Sequence, residues 1–227
     1  MKVGVVVFPG TNCDRDTIYA FKHNNIKDTA FVSHTETALS DFDLLILPGG
    51  FSFGDYLRTG GIAVHTPIFK SLPDFIGNGG YVIGICNGFQ MLVETGILKG
   101  FLFRNTSGKF ISRNIHLRVE RTDTVFTARY EEGEVLTMPI AHTTGNFRPA
   151  GTGFDEKNVI FRYCNKQGEI TKEANPNGSY KNIAGITNDS GRIMGLMPHF
   201  ERVSDPYLGI DGIPLIESVR KGIGGLS

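Results

Sequence analysis

Three short apolar runs set the strongest limit on what this chain can fold into. Val3 to Phe8 is closed by Pro9-Gly10, and Asp43 to Leu47 by Pro48-Gly49-Gly50. Tyr81 to Ile85 runs straight into a glycine-flanked cysteine. None shows a sustained alternation of apolar and polar residues, so each reads as a strand covered on both faces. Helical patterns lie between them. Asp14 to His23 puts Ile18 and Phe21 on one face. Thr66 can cap a helix that starts at Pro67 and carries the stripe Ile68, Leu72, Phe75 and Ile76. Pro73 inside it predicts a kink or an early end. Gly88 to Thr95 turns Phe89, Leu92 and Val93 inward and stops at Gly96. With a short strand at Thr29 to Ser33, strands alternate with helices, which requires a parallel sheet with right-handed crossovers.

After about residue 105 the texture changes. Ile111 to Val119 alternates apolar and polar residues, as a half-solvated antiparallel strand does. Val159 to Tyr163, Ile183 to Thr187 and Arg192 to Met197 read as further strands. Asn175-Pro-Asn-Gly178 is a turn, and Ile213 to Gly222 is a last helix. No repeat or linker interrupts the chain. The expectation is a single α/β domain over residues 1–227. It has a mostly parallel open sheet with flanking helices and a smaller antiparallel, β-rich part in the second half.

Charge and cysteine usage narrow the function classes. Lys+Arg and Asp+Glu balance at 23 each, so the basic excess of a nucleic-acid surface is missing. The three cysteines, Cys13, Cys86 and Cys164, are odd in number and form no Cys-x-x-Cys pair. That argues against a disulfide framework and a zinc site. The opening apolar run is too short for a membrane span or a signal segment. The expectation is a cytoplasmic enzyme without metal or cofactor of its own, and without nucleic-acid or membrane partners.

Gly84-Ile85-Cys86-Asn87-Gly88 is the strongest local signal. It joins a buried strand to a helix, the geometry of a nucleophile elbow. A Cβ two residues to either side of the nucleophile would crowd that turn. The free N–H groups of the following helix point at the sulfur and favour thiolate over thiol, the reactive form. A lone cysteine is more often a core residue, and Cys13 and Cys164, which lack this context, are read as structural. Acyl transfer by a thiolate also needs an oriented histidine. His199 follows an apolar strand and Pro198, and Glu201 lies two residues on, the same side in extended backbone. Spacing alone does not separate His199 from His142. Pro48-Gly49-Gly50 presents bare backbone amides at a strand end, suited to an oxyanion or to a plain turn.

Together Pro48-Gly49-Gly50, the Gly-Ile-Cys-Asn-Gly elbow and Pro198-His199-x-Glu201 resemble, in order, the class I (triad) glutamine amidotransferases. Gly49 to Arg58, Gly84 to Leu92, Pro139 to His142, Asn175 to Ser179 and Met197 to Arg202 are similar to a branch of that family serving purine biosynthesis. The resemblance runs from Val3 to Glu201. It implies a flavodoxin-like fold and a glutaminase. Cys86 would attack the glutamine carboxamide, His199 would act as acid and base, and Glu201 would orient it. Gly50 and Asn87 would hold the oxyanion through their N–H groups, and Gln90 would help hold glutamine. Ammonia would pass to a large synthetase subunit, which carries ATP and Mg, with a small third subunit in the assembly. Phe51 to Arg58 would face that partner. Two positions depart from the family pattern: Phe200 stands where proline is usual, and Thr143-Thr144-Gly145 where Gly-Glu-Gly is usual. The competing readings are a γ-glutamyl hydrolase, another class I amidotransferase subunit, or a non-enzymatic binding module on the same fold.

Overall fold

The computed structural model describes residues 1–151 and 154–225. The buried apolar runs become β1 (Val3–Val7), β3 (Leu44–Leu47) and β4 (Tyr81–Ile85). Leu44, Leu45, Ile46, Val82, Ile83 and Ile85 are all fully buried, as strands covered on both faces must be. β2 (Thr29–Ser33) lies beside β1. The intervening helices are α1 (Asp14–His23), α2 (Pro67–Gly77) and α3 (Asn87–Glu94).

Nine strands form one sheet in the order β2-β1-β3-β4-β11-β10-β9-β6-β7. The first five are mutually parallel, and every later pairing is antiparallel. β6 (Ile111–Val119), β9 (Val159–Cys164) and β10 (Ile183–Thr187) thus extend the parallel half as one continuous layer. β11 (Ile193–Leu196) joins the two halves by pairing in parallel with β4, and α4 (Ile213–Gly224) closes the described chain. The α/β class with an antiparallel second half is the one expected from sequence.

Three strands were not anticipated: β5 (Phe101–Arg104) and β8 (Thr144–Arg148), which form a separate two-stranded sheet, and β7 (Val135–His142). β7 has the alternation of a half-buried strand, but Pro139 sits in its middle. Proline is tolerated there because β7 is the outermost strand of the sheet. The expected early end of α2 at Pro73 is corrected: the helix runs on to Gly77. A proline inside a helix costs about 3 kcal/mol. Ile68, Phe69, Leu72 and Phe75 are buried from the same helix, each contributing roughly 1.5–3 kcal/mol, so packing wins. Among the described residues no helix is long and apolar enough to cross a membrane.

Candidate active site

The strand order explains the site. β3, β4 and β11 are consecutive neighbours in the parallel part of the sheet, so their carboxyl ends open on the same edge. Pro48-Gly49-Gly50 follows β3, Cys86 follows β4, and His199 follows β11 by three residues. Ligands of open parallel sheets bind at this edge. Residues far apart in the chain therefore meet without any long side chain reaching across.

Cys86 occupies the elbow with φ 49° and ψ −99°, left-handed backbone that a non-glycine residue rarely adopts. Such a conformation costs on the order of 1–3 kcal/mol and persists where its surroundings enforce it. Here they do. The Cys86 N–H donates to Leu196 O at 2.8 Å, and its carbonyl accepts from Gln90 N at 3.1 Å. A Cβ on Gly88 would lie 1.9 Å from the Leu47 carbonyl oxygen, and one on Gly84 would lie 2.7 Å from the Gly88 carbonyl. Both glycines are required by close backbone approach.

His199 and Glu201 are buried, and His199 Nδ1 bonds to Glu201 Oε1 at 2.6 Å. The His199 N–H donates to Pro139 O of β7 at 2.9 Å, which fixes the backbone that carries the ring. Burial alone would push the imidazole down. The Glu201 carboxylate outweighs it, helped by the sulfurs of Cys13 and Cys86, and the ring is raised well above its ordinary value. His142 goes the other way. Burial and the neighbouring His199 lower it to about 4, and its Nδ1 bonds to Asn105 Oδ1 at 3.1 Å. His142 is therefore a neutral structural imidazole, and of the two histidines that spacing left open, His199 is the one fit to carry a proton.

Around Gly50, Cys13 N donates to the Gly49 carbonyl and Phe51 N donates to the Gly10 carbonyl. The Gly50 N–H between them has no acceptor among the described residues. The Asn87 N–H is one of the free amides at the start of α3. The Asn87 side chain ties three elements together. Its Oδ1 accepts from Ser52 N at 3.0 Å, and its Nδ2 donates to Gln90 Oε1 at 2.9 Å and to Asp55 Oδ1 at 3.4 Å. Gln90 Nε2 donates in turn to Thr144 O at 2.6 Å. The departures at Thr143 and Thr144 are thus absorbed: the main-chain carbonyls make the bonds, Thr143 O accepting from Asn105 N. Phe200 is fully buried, edge-on to Phe21.

A cavity of about 760 Å³ opens beside the elbow, with Asp55, Leu57, Arg58, Gln90, Glu94 and Thr144 among its walls. Cys86 itself is buried. Cys13, read from sequence as structural, stands against His199. Its sulfur and ligand atoms of His199 and Glu201 lie within 4.8 Å of one another. The Arg202 guanidinium donates to the same sulfur at 3.1 Å, and that positive charge opposes a cation at the cluster. No local pattern marked Cys13, because its neighbourhood comes from β1 lying two strands from β4.

Comparison with known proteins agrees with this geometry. The family model of the CobB/CobQ-like glutamine amidotransferase domain matches residues 1–209. Phosphoribosylformylglycinamidine synthase subunit PurQ of Chlorobaculum parvum is 50% identical over 99% of this chain and 91% of its own length. The same subunit of Aquifex aeolicus is 47% identical over 95% and 97%. The structure of PurLQS from Thermotoga maritima superposes with TM-score 0.86 at 42% identity, covering 96% of each chain. A glutamine amidotransferase of Thermotoga maritima shares the fold, with TM-score 0.58 at 16% identity, covering 99% of this chain and 92% of its own. The chain belongs to the CobB/CobQ-like glutamine amidotransferase family, in the branch of the phosphoribosylformylglycinamidine synthase glutaminase subunits.

Proposed function

We propose that this chain hydrolyses glutamine through a cysteinyl thioester and hands the ammonia to an ATP-dependent synthetase, for conversion of a formylglycinamide ribonucleotide to its amidine. The observation that carries this is one local arrangement. Cys86 sits on a left-handed elbow at the end of β4, and the bonded His199–Glu201 pair sits at the end of the adjoining β11.

The Cys86 sulfur attacks the carboxamide carbon of glutamine. The Gly50 and Asn87 N–H groups receive the developing oxyanion. His199, held as an imidazolium by Glu201, gives its proton to the departing nitrogen, and ammonia leaves. The neutral ring then takes a proton from water, whose oxygen attacks the γ-glutamyl thioester. Glutamate departs and the thiol returns. Gln90, on the cavity wall, helps to place the substrate. In this reading residues 1–227 act as one domain in the cytoplasm, and ATP and Mg belong to the large synthetase subunit. A small third subunit completes the assembly, as in PurLQS of Thermotoga maritima.

Glu201→Gln tests the triad. It keeps the shape but removes the charge that raises His199, and a wrongly held imidazole costs roughly 10²–10⁴ in kcat. The measurement is glutamate release by the complex reconstituted with its synthetase. Unchanged kcat would remove Glu201 from the mechanism.

The face toward the synthetase is read from the cavity mouth. Ammonia escapes unless the partner seals that opening. Leu57 lines the cavity and is 91% exposed, Tyr56 beside it is 74% exposed, and Phe101 and Phe103 stand on the opposite wall. Aromatic and large apolar side chains anchor interface cores. Tyr56→Ser with Leu57→Ser should weaken assembly at least about 30-fold, roughly 2 kcal/mol, by titration calorimetry against the synthetase. Cys86 alkylation should stay unaffected. Full affinity in the double variant would place the interface elsewhere.

A further inference from the structure

Phe51 to Arg58 bears a feature that partner docking does not require. Phe53, Asp55 and Leu57 all have positive φ, 51°, 53° and 68°, and Gly54 between them has 69°. Three non-glycine residues in left-handed backbone within five positions are costly. The loop is nevertheless fixed at several points. Phe53 N donates to Pro9 O at 2.6 Å, Ser52 N donates to the Asn87 side chain, and Arg58 Nε donates to Glu94 Oε1 at 2.8 Å. Strain held in this way collects at functional positions.

The loop holds the Asp55 carboxylate in the cavity wall. The wall carries four charged side chains: Asp55, Arg58, Glu94 and Arg104. Arg58 and Glu94 neutralise each other. Asp55 has no cationic partner among the described residues, and its one side-chain bond is the long one from Asn87 Nδ2. Burial pushes its carboxyl up to about 6, and the Asn87 bond pulls only partly back. A half-buried anion facing a cavity with no countercharge is unfavourable unless a ligand brings the charge. Asn87, which it touches, is the residue next to Cys86.

We infer that Asp55 accepts the α-ammonium of glutamine, so that the strained loop measures the amino-acid head group while the carboxamide reaches the elbow. This rests on the glutaminase reading above and specifies its substrate contact. The ligand class is an α-amino acid in its zwitterionic form. Glu94 cannot serve, because Arg58 already holds it. The recognition is selective against amides that lack the amino group.

The test uses the complex reconstituted with its synthetase. KM for glutamine is compared with the inhibition constant of 5-amino-5-oxopentanoate, which has the carboxamide and carboxylate but no α-ammonium. Asp55→Asn should raise KM for glutamine about 30- to 100-fold, the scale of a lost charge-assisted bond. The inhibition constant of the analogue should stay within about threefold. Cys86 alkylation by iodoacetamide checks that the elbow is intact, and Asp55→Ala should repeat the pattern. Equal changes for both compounds would reduce Asp55 to a structural role, and no change for either would remove it from the site. If the unmutated complex releases no glutamate at all, the glutaminase reading fails, and this inference falls with it.

Discussion

Cys86→Ala should abolish glutamine hydrolysis, lowering kcat by a factor of about 10⁴ or more, the scale for removing a covalent nucleophile. Loss of the sulfur leaves the oxyanion amides and the cavity in place, but no atom able to form the thioester. The assembly should survive. Alanine meets the same left-handed strain as cysteine, and the one side-chain bond lost is the 3.8 Å contact from Sγ to Ala141 O. The variant complex should therefore still make amidine from added ammonium salts while failing with glutamine. Cys86→Gly sharpens the point. It should be equally inactive yet more stable than Cys86→Ala by about 1 kcal/mol, because glycine relieves the strain at φ 49°. Residual glutamine turnover within tenfold of the parent would reject Cys86 as the nucleophile.

The second large effect is on the fold. Gly88→Ala should destabilise the chain by at least about 3 kcal/mol, the upper part of the range for overpacking a core. The new methyl would sit 1.9 Å from the Leu47 carbonyl oxygen and 2.7 Å from the Leu47 Cβ. Neither can yield: Leu47 ends β3, which is hydrogen-bonded between β1 and β4. At roughly 2–4 °C per kcal/mol for a chain of this size, the melting temperature should fall by about 10 °C. Gly77→Ala is the control. Nothing lies within 4 Å of its added Cβ and the residue is helical, so the change should be neutral or stabilising by up to about 1 kcal/mol. Calorimetric melting of both variants checks this. Similar melting temperatures for the two would contradict the packing at the elbow.

The sequence by itself determined the elements whose cause is local. The apolar runs at Val3, Leu44 and Tyr81 could only be buried strands, and the glycines at 84 and 88 announced the tight approach that the structure then displays. Pairing of His199 with Glu201 was legible because two residues in extended backbone share a side. The rest is non-local. That β11 inserts beside β4, bringing His199 to the cysteine's end of the sheet, depends on strand order, which no window of residues encodes. The choice of His199 over His142 rested on which imidazole gained a carboxylate and which was buried without one. β7 stayed hidden behind Pro139, whose tolerance reflects an outermost position that only assembly of the sheet creates. Cys13 and Asp55 gave no signal for the same reason: a side chain's chemistry follows from its neighbours, and theirs come from strands and loops distant in the chain. Periodicity reports what each segment must bury, whereas the tertiary structure decides which buried or strained groups face one another.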